Sequence, residues 1–134
     1  MRVRRRSDVR GEQGASAVEF ALVVLPLVLI LLGIIEFGYI FNQQLTVTNA
    51  AREGSRVLAI TRDTGDAVSA ATNAASTLVG TPVITTPTVC PETGPGDATV
   101  VITLALDTIT GLETWVPGLE TISLTGRGVT PCGG

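Results

Sequence analysis

The chain has 134 residues and a net charge of −3; 45% of its residues are hydrophobic, only 16% are charged, and its mean hydropathy is +0.44. An ordinary soluble domain carries about a quarter charged residues, so this composition predicts one small domain joined to a membrane segment. There is no histidine, which excludes Ser–His and Cys–His catalytic pairs, and two cysteines alone cannot build a four-ligand structural zinc site.

Residues 1–14 carry five arginines (Arg2, Arg4, Arg5, Arg6, Arg10) against Asp8 and Glu12, a net of +3. Residues 42–134 carry four arginines against eight acids, a net of −4. The positive-inside rule places the N-terminus in the cytoplasm and everything after the apolar run outside.

From Phe20 to Ile35 no side chain is polar or charged. Extending the run to Val18 and Phe41 gives about 24 residues, or about 36 Å of helix, enough to cross a bilayer core of roughly 30 Å. A cleaved secretory signal has a shorter core followed by a small-x-small site. Here Glu36, Phe37, Gly38 and Tyr39 follow, so the segment is expected to stay on the protein. Pro26 removes one backbone hydrogen bond in mid-run. Gly33 and Gly38 are five apart, not at the four-residue spacing of the helix-dimer motif.

The junction before this run has a distinctive order: an arginine-rich leader, Gly14, the small residues Ala15, Ser16 and Ala17, then Val18, Glu19 and Phe20. Ionisable residues at membrane depth are functional candidates. A cut after Gly14 would remove all five leader arginines and leave a free amine on Ala15, with Glu19 as the fifth residue. An amine with its usual pKa of about 8 is largely cationic at neutral pH and can pair with a carboxylate. Pairing between neighbouring chains would set an axial register for packed helices.

This constellation resembles the class III signal sequence of type IV pilins. More narrowly, "GASAVEFALVVLPLVLILLGIIEFGYIFNQQLTVTNAAREGSR" is similar to the TadE-type pseudopilins, the minor pilins of tight-adherence (Flp) type IV pili. The G-x-x-x-x-E-F core falls on Gly14, Glu19 and Phe20. The resemblance implies cleavage between Gly14 and Ala15 by a membrane prepilin peptidase, and a role for Glu19 in processing or assembly. It also implies other pilins and pilus-assembly membrane proteins as partners. The "AREGSR" stretch, Ala51–Arg56, is similar to the family's post-membrane helix. Glu36, about 25 Å further along the helix than Glu19, is expected at the outer interface and solvated.

Beyond the membrane, Leu45, Ala50, Ala51, Gly54, Val57 and Leu58 mark an approximate helical stripe, predicting one helix from about Ser16 to about Ala59. Glu53 and Arg56 can pair on its surface. Thr64-Gly65-Asp66 predicts a turn and helix start, followed by an alanine-rich second helix ending at Gly80. "TPVITTPTVC" and "ATVVITLALD", separated by the Pro91–Gly96 stretch, predict an antiparallel pair, and "LETISLTGRGV" a third strand. Pro82 and Pro87 push the first strand to a sheet edge. With the third strand beside the first, Cys90 and Cys132 would lie at one end of the sheet; an oxidising exterior favours their disulfide.

The expected architecture is α+β: a long N-terminal transmembrane helix running into an exported head with a second helix and a small antiparallel sheet of about three strands. Its expected divisions are a basic leader over 1–14, the transmembrane and extended helix over 15–60, and the head over 61–134. The chain is expected to be a non-enzymatic, single-pass cytoplasmic-membrane protein that can enter an extracellular pilus, with the lipid bilayer as partner, no nucleic acid and no cofactor. Two rivals stand beside this reading. One is an uncleaved, anchored cell-envelope binding or adhesion protein. The other is a membrane-bound enzyme using Asp97, Asp107, Glu113 and Glu120. Trp115 reads as local packing.

Overall fold

The computed structural model describes residues 9–111, 114, 118 and 121–132. The elements run α1 (Val9–Thr61), α2 (Thr64–Ala74), β1 (Val83–Thr88), β2 (Asp97–Leu106) and β3 (Ile122–Pro131), an α+β arrangement. The chain divides into two units, one ending at Ile35 and one running from Glu36 onwards. The second half of α1 therefore belongs to the same unit as the head.

The first unit is the apolar part of α1. It starts upstream of the expected Ser16 and continues through Gly14 and Pro26. Pro26 donates no amide, so the carbonyl four residues back, on Leu22, lacks its helical partner. The leader residues Arg2, Arg4, Arg5 and Arg6 lie outside the described residues.

In the second unit, α1 ends where Arg62 adopts a left-handed conformation, φ 57°, and its amide reaches back 3.0 Å to the Leu58 carbonyl. That is an αL cap without its usual glycine. One residue later the chain starts α2. The cap of α2 is Asp63, whose side chain accepts from the Asp66 amide at 3.0 Å. The sequence had pointed to Thr64 and Asp66 instead. α2 stops at Ala74, six residues short of Gly80, because the chain tightens into short-range turns: Ser76 donates to Asn73, and Leu78 donates to Ala75.

The sheet order is β1-β2-β3, antiparallel throughout. The third strand thus lies beside the second rather than the first. β1 is an edge strand, which suits its one proline, and its pairing slips between Thr85 and Thr88, around Pro87. Alternate residues of β2, Ala98, Val100, Ile102, Leu104 and Leu106, are buried and meet Val47, Ala50, Ala51 and Leu58 of α1 in the core, joined by Ala67 and Ala71 of α2. The other face carries Thr85, Thr99, Thr103, Thr125 and the exposed Arg127.

Candidate functional site

Gly14, Ala15, Glu19 and Phe20 all lie within α1 and are exposed. A Cβ on Gly14 would meet nothing within 4 Å. Pairing of Glu19 with an Ala15 amine requires a cut chain, because in the intact chain that nitrogen is a peptide nitrogen. The helix from Gly14 onwards is long and apolar enough to cross a membrane, and no residue of its most apolar stretch is buried. Apolar surface of this kind needs lipid or other helices around it.

Where the apolar run ends, the structure departs from the sequence reading. Glu36 is not solvated: it is 4% exposed. Its carboxylate accepts from the Ile109 amide at 3.2 Å, the Thr110 amide at 3.1 Å and the Thr110 hydroxyl at 2.7 Å. A carboxylate needs this many donors to be withdrawn from water. Two helical turns on, buried Gln43 accepts from the Val79 amide at 3.1 Å. Both are polar acceptors on the head-facing side of α1, and each fixes a loop to it. Replacing Glu36 by glutamine removes acceptor capacity and sets amide donors against backbone donors. The expected loss is about 2 kcal/mol of head stability, read as a lower midpoint in denaturant unfolding.

The "AREGSR" stretch also acquires a physical role. Its small residues form a seam with the rest of the head. A Cβ on Gly126 would stand 2.6 Å from the carbonyl oxygen of Val47, and one on Gly128 would be driven into the carbonyl oxygen of Ala51. The Ser55 and Thr130 hydroxyls are 2.9 Å apart. Four helical residues rise about 6 Å and two strand residues about 6.7 Å, so contacts at 47, 51 and 55 keep step with 126, 128 and 130. Gly54 faces α2, where a Cβ would come within 3.0 Å of the Ala71 Cβ. Arg52, Glu53 and Arg56 are left outside, and Arg56 donates to Glu53 at 2.8 Å and 3.1 Å. The strand glycines carried no sequence signal of this role beyond their presence in a β pattern.

At the opposite end of the head Cys90 and Cys132 are joined, and the Cys132 amide donates to the Gly96 carbonyl at 2.8 Å. β1 and β3 both run antiparallel to β2, so both leave the sheet at the same end and bring the two cysteines together across the start of the central strand. Trp115, Glu113 and Glu120 lie outside the described residues. Asp97 and Asp107 stand at opposite ends of β2, at its first residue and just past its last. Among the described residues no three His, Cys, Asp or Glu side chains are grouped to hold a metal. An open groove between α2 and β1 is lined by Thr64, Gly65, Val68, Ile84 and Pro87, none of them ionisable.

The arrangement is therefore an apolar helix with an exposed acid near its start and a compact head bound to its second half. A family model described as TadE-like protein matches residues 14–56, from the junction glycine to the last residue of the seam stretch. No curated protein and no solved structure matches the chain.

Proposed function

We propose, from the premise that residues 14–56 are those of a TadE-like protein of the tight-adherence pilus systems, that the chain is a minor pilin or pseudopilin in assembly of that pilus. It is made with a basic leader facing the cytoplasm, is cut after Gly14 by a prepilin peptidase, and works without catalysis of its own. The observation that carries this reading is the family match, which begins at Gly14 and takes in Glu19, Phe20 and the whole apolar run. Apolar packing of α1 supplies cohesion with neighbouring pilins. Glu19 and the new amine on Ala15 supply register, since an ion pair at low dielectric is sensitive to axial offset. The head presents the surface that other assembly proteins meet.

Intact-mass measurement on protein from its native envelope tests the processing. The expected mass is that of a chain starting at Ala15 and lacking two hydrogens for the disulfide; a chain starting at Met1 in the working form overturns cleavage and leaves an anchored binding protein. Glu19→Ala is expected to insert normally into the membrane while pilus formation or processing falls. Normal pili from that variant would remove Glu19 from the mechanism.

A further inference from the structure

The Glu36 clamp has a geometric setting that the pilus reading does not use. Phe20–Ile35 spans about 24 Å as helix, short of a hydrocarbon core of roughly 30 Å by about 6 Å, or four residues. Extension towards the N-terminus meets Glu19 at once. Extension the other way meets Glu36, whose carboxylate is supplied with three protein donors in place of water. An acid so furnished tolerates a depth where water is scarce. Past it the apolar surface continues on the side of α1 turned away from the head: Phe37 is 70% and Phe41 54% exposed, their rings stacked with centroids 6.1 Å apart. The loop that Glu36 holds presents Ile109, 55% exposed, beside this turn of the helix.

We propose that the loop Asp107–Gly111 is a lipid-contacting foot: Glu36 ties it to the end of the apolar run so that Ile109, with Phe37 and Phe41, rests in the interface of the leaflet on the head's side. The occupant is lipid rather than a second copy because these residues continue, on the same helix, the exposed apolar surface of the span itself. The proposal rests on α1 being a membrane span.

The test uses the full chain, with its disulfide, in phosphatidylcholine–phosphatidylglycerol vesicles. An environment-sensitive fluorophore is attached through a single added cysteine at Leu27, Phe41, Ile109 or Val129, and quenched by lipids carrying a nitroxide near the headgroup. The 109 and 41 probes are expected to be blue-shifted and quenched. The 129 probe should be neither, since Val129 lies level with about residue 53 of α1, some 25 Å beyond Glu36. Glu36→Ala should return the 109 probe towards its emission in water while the 41 probe stays quenched. An intact disulfide by mass and an unchanged 129 probe certify folding. If that variant fails to fold, Thr110→Val, which removes only the hydroxyl donor, should give a smaller shift in the same direction.

A 27 probe that emits as in water would mean that the span itself is wrong. A blue-shifted 27 probe with 109 behaving like 129 overturns the foot alone. A 109 blue shift that vanishes when protein is diluted in excess lipid assigns the surface to a second copy and also overturns it. Quenching at 109 that survives both variants unchanged overturns the role of Glu36.

Discussion

Replacing Gly128 by alanine is expected to destabilise the head by about 3 kcal/mol or more, near the upper end for an overpacked site. The added methyl would collide with the main-chain oxygen of Ala51, and no rotamer change can relieve a clash between a Cβ and a backbone carbonyl. Strand β3 would have to lift from α1, opening contacts at Val47 with Gly126 and at Ser55 with Thr130 as well. Gly111→Ala is the control. Its φ is 72°, so alanine is strained there by about 1 kcal/mol, but a Cβ meets nothing within 4 Å. Thermal unfolding should therefore separate the two variants clearly, and equal losses at the two positions would refute the seam.

Removing the disulfide is expected to have a comparable effect by a different route. Cys90 and Cys132 are 42 positions apart. Closing a loop of that size stabilises by about 4 kcal/mol in the chain-entropy model. A domain of this size has only about 5–15 kcal/mol of net stability. Cys90→Ser with Cys132→Ser should lower the melting temperature by roughly 15 °C or more. Reductant should reproduce the shift in the parent chain and leave the double variant unaffected. Because the bridge links the chain just past two strands that do not touch each other, its loss should expose the ends of β1 and β3 first. Hydrogen exchange at Thr88 and Val129 reads this.

Much of the fold was legible in the sequence, because its signals are local. An uninterrupted apolar run predicts the long helix, and β-branched clusters broken by proline and glycine predict all three strands. The misplaced boundaries have short-range causes. Asp63 rather than Thr64 or Asp66 caps α2, and the stretch Ser76–Val79 is turned out of the helix by its own short-range hydrogen bonds. What stayed hidden depends on distant partners. An acid just past an apolar run is ordinarily solvated, and Glu36 is buried only because Ile109 and Thr110, more than 70 positions away, deliver their amides to it. "LTGRG" likewise reads as a strand with weak propensity. Only the approach of α1 shows why a side chain at Gly126 or Gly128 is forbidden. The strand order was equally out of reach: a third strand running parallel to the first brings the cysteines to one end of the sheet whether it lies beside the first or across the second.

The glycine seam also bears on timing along the proposed route, in which the head crosses the membrane behind α1. Ala51 and Gly128 touch across 77 positions of chain, so on that route the helix would be in place long before the strand that clasps it arrives. Closing so large a loop is entropically slow. Throughout that interval Val47, Ala50, Ala51 and Leu58 would stand uncovered, inviting capture by whatever apolar surface is near. A nascent subunit of this design would need either rapid hand-over to a neighbour or a crowd-free place in which to finish.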